Sequence, residues 1–183
     1  MIDLLNLHKQ FILTHLREGD VCADFTMGNG HDTEFLSKTV GPSGKVYAFD
    51  VQPQAVASTE KNLKAAGCPE NYILINDSHH RAGEYIKEKI RAGMFNLGWL
   101  PGGDKSITTM RETTLPAVDT AIGLLGADSV LTVAVYPGHP EGDAEGTELR
   151  RYLSGLSRFK VCVTEIRIAN SPSSPYFFLI ETK

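Results

Sequence analysis

Three cysteines, Cys22, Cys68 and Cys162, stand in 183 residues with no C-x-x-C spacing. That scarcity excludes a disulfide framework and a cysteine-rich zinc site, and the three read as reduced, mostly buried small hydrophobes. An excess of positive charge is also missing: 18 basic residues stand against 22 acidic ones, a net charge of -4. No global field would drive non-specific nucleic-acid binding, so an RNA partner would need a local basic patch. Long apolar runs are absent, and Asp3, His8 and Lys9 interrupt the apolar residues of the N-terminal stretch. Neither a signal peptide nor a membrane span is expected, which points to the cytoplasm. Repeats, linkers and low-complexity tracts are not found either. With 42% hydrophobic residues, the chain is expected to form one domain over 1–183 with a substantial core.

The most informative absence lies in Val21-Cys22-Ala23-Asp24-Phe25-Thr26-Met27-Gly28-Asn29-Gly30-His31-Asp32-Thr33. It reads as a buried strand, a tight glycine turn and a helix start, with Gly28 and Gly30 allowing close backbone approach to a ligand. A dinucleotide fingerprint wants a third small residue, and Thr33 occupies that place. Asp24 and Asp32 flank the turn; carboxylates repel phosphate and suit a cationic ligand with an amino group, such as S-adenosyl-L-methionine (AdoMet). Asp50 ends the run Lys45 to Asp50, 20 residues after Gly30. An acid so placed can accept both ribose hydroxyls of a nucleoside, or cap the helix that starts at Gln52-Pro53.

Alternation and punctuation predict the remaining elements. Helices are expected over Ile2–Leu16, His31–Val40, Pro53–Ala66, Arg81–Arg91, from Thr113 or Thr114 to near Gly126, and within Glu141–Ser154. Strands follow at Tyr72–Asn76, Met94–Gly103, Ser129–Tyr136, Lys160–Ile168 and Tyr176–Glu181. The last two are joined too briefly for a crossover, so one strand runs antiparallel. Seven mostly parallel strands with a terminal hairpin and helices on both faces form a Rossmann-like class I methyltransferase arrangement, distinct from the six-stranded dinucleotide fold.

Strand exits supply the site candidates. The cofactor set is Thr26, Met27, Gly28, Asn29, Gly30, Asp32 and Thr33 from the turn; Asp50, Val51 and Gln52; Asp77, Ser78 and His79; and Asn96. Asp77 can read an adenine amine or cap a helix. His79 and His80 lack the partners a metal site needs, so no metal is expected. Asn96 can present its amide oxygen to a nitrogen nucleophile. Trp99 and Tyr136 are placed to line the acceptor side, unless Trp99 belongs to the core. Arg81, Lys105 and Arg111 are the candidate RNA-binding cations; Lys87, Lys89 and Arg91 alternate with Glu84 and Glu88 as a solvated helix face would.

Asp24 to Thr33, the run Asn96-Leu97-Gly98-Trp99-Leu100-Pro101-Gly102-Gly103-Asp104-Lys105 and Tyr136-Pro137-Gly138-His139 together resemble the small bacterial rRNA-methylase family, the YtqB-like or MnmM-like proteins. The resemblance runs over essentially the whole chain. It implies an AdoMet-dependent enzyme, commonly a homodimer, that methylates the aminomethyl group on the wobble uridine in the anticodon of certain tRNAs. Leu97-Gly98-Trp99 after Asn96 departs from the Asn/Asp-Pro-Pro-Tyr pattern of base amino-methyltransferases, which fits an alkyl amine acceptor better than a ring amine. An alkyl ammonium titrates near 10.4, so about one molecule in a thousand is free base at pH 7. His139 is the candidate to take that proton, with Asn96 orienting the amine; the alternative is a histidine that fixes its own turn. Rival readings are an rRNA or small-molecule methyltransferase, a nicotinamide-dependent reductase, and a non-catalytic nucleotide-binding module.

Overall fold

A computed structural model describes residues 3–100, 102 and 108–183. Its seven strands form one sheet in the order β3-β2-β1-β4-β5-β7-β6. They are β1 (Val21–Asp24), β2 (Lys45–Phe49), β3 (Tyr72–Ile75), β4 (Ile90–Asn96), β5 (Leu125–Val135), β6 (Val161–Ile166) and β7 (Tyr176–Thr182). All pairings are parallel except those of β7, which runs antiparallel to both β5 and β6. This is the arrangement that the short 169–175 connection requires. Reversal of strand order between β1 and β4 opens a crevice at their carboxyl ends, where open α/β sheets bind ligands.

Helices α1 (Leu4–His15) and α2 (His31–Val40) bury Leu4, Ile12, Leu36 and Val40 on one face of the sheet. On the other face lie α4 (Ala82–Tyr85), α5 (Arg111–Leu124) and α6 (Pro140–Ser154), with Ala82, Val118, Leu149 and Leu153 in the second core. The remaining helix, α3 (Pro53–Ala65), begins with proline in its first turn, where no hydrogen-bond donor is lost. Asp3 caps α1 by accepting from the Leu5 and Asn6 amides, which sets the angle at which α1 reaches the sheet.

Three boundaries differ from the sequence reading, each through tertiary pairing. The helix expected over Arg81–Arg91 is one 3₁₀ turn, His79–Arg81, and the single turn of α4. The chain is needed as strand from Ile90, because Ala92 to Met94 pair with β1. Gly93 fits there because a Cβ would stand 2.7 Å from Leu131 and 2.9 Å from Phe25. Helix α5 starts a turn early, with Met110 as its cap and Pro116 inside it. Thr114 turns its hydroxyl to the buried Glu145 of α6 rather than capping. Strand β5 begins at Leu125, and its register shifts opposite Ile90–Ala92.

Candidate functional site

At the carboxyl ends of β1, β2, β3 and β4 the crevice widens to a cavity of about 600 Å³, within the range that takes a nucleoside-sized ligand. Thr26, Met27, Gly28, Asn29, Asp32, Asp50, Val51, Gln52, Asp77, Ser78, His79, Asn96, Trp99 and Tyr136 all line it. Leu97, Met110 and Thr113, which motif reading passed over, complete the walls.

The turn between β1 and α2 is fixed from behind. Asp24, fully buried, accepts from the Thr26 amide at 3.1 Å and from the Thr33 hydroxyl at 2.7 Å. Thr33 therefore braces Asp24 from behind the cavity wall. Gly30 stands at φ 85°, and a Cβ there would lie 2.8 Å from the Thr59 side chain. Its role is to let α3 pack against the turn. Burial and the charge of Asp32 push the Asp24 carboxyl far above the ordinary carboxylate range.

Asp50 lines the cavity at the end of β2 and braces the chain on both sides of it. One oxygen accepts from the Gly28 amide at 3.0 Å and the other from the Gln52 amide at 2.9 Å, so it ties the glycine turn to the start of α3. Each oxygen keeps a lone pair for a ligand hydroxyl, and burial raises its pKa. Asp77 accepts from the Ser78 amide, Arg81 and the Tyr85 hydroxyl, and the hydrogen bond from Tyr85 leads the effects that hold its carboxyl below the usual range. His79 donates from Nδ1 to the Phe25 carbonyl at 3.0 Å, and burial holds it neutral, with a pKa down to about 4.

Across the cavity, side chains from four elements join in one chain of hydrogen bonds. Lys9 of α1 pairs with Asp32 at 2.7 Å; Asn96 donates from Nδ2 to Asp32 at 3.1 Å; the Tyr136 hydroxyl donates to Asn96 Oδ1 at 2.7 Å. Because Asp32 can only accept, the amide is oriented with its oxygen toward Tyr136. Burial, then the charges of Asp32 and Asp3, push the Tyr136 hydroxyl up to about 12, so it stays protonated. Two neutral oxygen acceptors thus stand side by side on the cavity wall. Lys9 escaped the motif reading because only the fold brings an N-terminal lysine to this wall.

The Trp99 loop closes the remaining side. Trp99 is 37% exposed, and the Leu100 side chain lies 3.6 Å from where a Gly28 Cβ would stand, so the loop opens beside the glycine turn as expected. Its returning end is anchored: Gly98 donates to the Thr109 hydroxyl, which donates at 3.0 Å to Glu145. His139 lies outside the cavity lining and caps α6, its Nδ1 accepting from the Gly142 amide at 3.1 Å, its ring 5.1 Å from that of Trp99. With Nδ1 accepting, the neutral ring carries its proton on Nε2 and has no lone pair left for a base. In this geometry His139 fixes its own turn, the alternative to the proton-acceptor reading.

Of the proposed RNA cations, the two that are described are each engaged by acids. Arg81 is held by Asp77 and Glu84, and Arg111 by Glu112 and Glu148, while Lys105 lies outside the described residues. Among the described residues no group of three or more His, Cys, Asp or Glu could hold a metal ion, and no helix is long and apolar enough to cross a membrane.

Comparison with known proteins agrees with this fold. A rRNA-methylase from Clostridium thermocellum, described as putative, superposes with a TM-score of 0.97 at 36% identity, covering 100% of this chain and 99% of its own. SMU.1697c, a methyltransferase from Streptococcus mutans solved in complex with SAH, does so with a TM-score of 0.91 at 34% identity, covering 100% and 99%. The tRNA (mnm(5)s(2)U34)-methyltransferase, chloroplastic, of Arabidopsis thaliana is 38% identical over 170 residues. That match takes in 87% of this chain and 62% of the relative, so this chain spans about three fifths of the relative's length. The model of the family described as "Putative rRNA methylase" matches residues 46–181, from the second strand to the last, and the chain belongs to that family.

Proposed function

We propose that this chain is an AdoMet-dependent methyltransferase that methylates the aminomethyl nitrogen of the wobble 5-aminomethyl-2-thiouridine in the anticodon of tRNA. In this reading one domain spans the chain and works as a homodimer in the cytoplasm. The observation that carries it is the cavity wall where Asn96 and Tyr136 present neutral acceptors opposite the glycine turn. The Arabidopsis relative supports the acceptor and the SAH complex of the Streptococcus mutans neighbour supports the cofactor.

The residues present fit AdoMet. Asp50 has lone pairs free for ribose hydroxyls, and its carboxylate on the cavity wall disfavours a phosphate. Thr33 and the antiparallel β7 speak against a dinucleotide. When bound, AdoMet supplies an electrophilic methyl group on a sulfonium. The protein's part is placement: Asn96 Oδ1 and the Tyr136 oxygen accept from the amine's N–H bonds and aim its lone pair. Asp32, ionically paired with Lys9, keeps the Asn96 amide from turning. The aminomethyl group must arrive as free base, because only that form has the lone pair that attacks the methyl group.

The test is methylation of tRNA from a strain lacking the endogenous modification, read by nucleoside mass spectrometry, beside rRNA from the same strain. Transfer to the wobble aminomethyluridine is expected, with Asp50→Ala weakening AdoMet at least tenfold in calorimetry, since hydrogen bonds to a charged group contribute roughly 1.5–3 kcal/mol. Methylation of rRNA alone would sink the tRNA reading.

A further inference from the structure

Residues 150–167 hold five cations, Arg150, Arg151, Arg158, Lys160 and Arg167, and one acid, Glu165. This stretch carries +4 in a chain of -4, leaving -8 on the rest. It is also continuous in space, formed by the end of α6, a short turn and β6, the last strand of the sheet.

The cations there are less neutralised than those of the motif loops. Arg150 binds Glu165 through two hydrogen bonds of 2.8 and 2.7 Å, and Arg167 reaches the same carboxylate at 3.5 Å. One acid shared by two arginines leaves a net positive charge, whereas Arg81 and Arg111 each face two acids. Arg167 is held upright by stacking on Tyr176, 4.7 Å from the ring centroid, which leaves the guanidinium edge outward. Arg151, Arg158 and Lys160 are exposed. Phe159, between two of them, is 94% exposed. A bare phenyl ring flanked by cations has the composition of a surface on which a nucleobase stacks while phosphates are held beside it.

Register connects this edge to the cavity. Val135 pairs with Tyr176 and Ile166 with Phe177, so Arg167 lies two strands from Tyr136, about 10 Å at the usual strand spacing. The basic edge therefore begins two strands from Tyr136, with Arg167 on the α6 face of the sheet and Tyr136 on the other, and descends along β6 to Phe159.

We propose that this edge, from Arg167 to Phe159, is the surface that holds the RNA backbone while the acceptor base enters the cavity. The proposal rests on the tRNA reading above. It locates a patch that an acidic chain needs and that Arg81 and Arg111, each facing two acids, do not supply.

The test uses the full chain and an unmodified tRNA transcript, with affinity measured across salt from about 50 to 300 mM. Each lost phosphate contact lowers the slope of log affinity against log salt by roughly 0.7–0.9. Arg167→Gln is expected to remove about one such unit and the double variant Arg158→Gln/Lys160→Gln about twice that. Phe159→Ala should weaken binding with the slope kept. AdoMet affinity, measured alongside, should be unchanged and reports that the variants are folded. Wild-type slopes in all charge variants, with tRNA still methylated, overturn the surface and leave the function standing. A reduced slope in an enzyme that methylates no tRNA supports the surface and sinks the function. Variants that change only the sedimentation of the protein assign the edge to a second copy of the chain and overturn the proposal, as does a wild type that binds no tRNA.

Discussion

His139 shows how one hydrogen bond decides between two chemistries for the same residue. A loop histidine beside an amine-accepting pocket invites a general-base role, and nothing in Tyr136-Pro137-Gly138-His139 excludes it. The Gly142 amide favours the bracing role, by occupying Nδ1 and leaving the proton of the neutral ring on Nε2. His139→Ala should therefore lower the methylation rate by a factor independent of pH, because what is lost is the α6 cap and the support of Trp99. Single-turnover rates across about pH 6–9.5 check this; recovery in alkaline buffer would restore the base, whose assistance is typically worth 10²–10⁴-fold. Asp50 was legible as a cavity residue because the end of the second strand places it there. The difference lies in reach: Asp50 acts through neighbours that its own motif defines, whereas the tautomer of His139 depends on where α6 begins.

Elements meet at Glu145, which is 2% exposed and joins three of them. It accepts from Thr114 of α5 at 2.6 Å and from Thr109 at the end of the Trp99 loop at 3.0 Å, so α6 holds both the helix and the loop that wall the cavity. Glu145→Leu removes the acceptor for two hydroxyls at once. With about 1–3 kcal/mol for each buried group left unpaired, the variant should lose about 2–5 kcal/mol of stability. Glu145→Gln, which keeps an oxygen and can donate to the second hydroxyl, should recover at least half. Urea unfolding with an unchanged m-value measures both, and a leucine variant as stable as wild type would refute the anchor. In the sequence, Glu145 is one acid of a polar helix and Thr114 a plausible cap. Only the packing of α5 on α6 tells them apart from surface residues. The same limit hid the start of β4, where pairing with β1 and β5 outweighs a helical local pattern.

For the whole molecule, charge is sorted: acids gather around the glycine turn and cations along the β6 edge. The strand order, the hairpin and the turn were legible because each follows from local alternation and punctuation, but the sorting was not, since cations were sought beside the motifs. Its thermodynamic trace should be a pH dependence carried chiefly by Asp24. Two donors, Thr26 and Thr33, do not offset full burial beside Asp32 and Asp50, and the folded carboxyl titrates at about 7 against an unfolded value near 3.9. The folded state thus holds a proton that the unfolded state releases. Such a group contributes stability below the unfolded value, and that contribution is lost as pH rises toward 7. Asp50 and Glu145, both raised by burial, add in the same direction. The exposed acids whose values are lowered, such as Glu84 and Glu112, oppose it weakly because solvent screens them. The ligand-free protein should accordingly lose thermal stability from about pH 5 to pH 8, and Asp24→Asn, even if less stable throughout, should show a flatter dependence over that window. Saturating AdoMet should flatten the wild-type curve too, because a cation beside the turn favours the ionised carboxylates. Thermal midpoints at several pH values, for both proteins with and without AdoMet, decide the matter. An Asp24→Asn curve parallel to wild type would show that the charge is held without cost and that the turn is not poised for a cation.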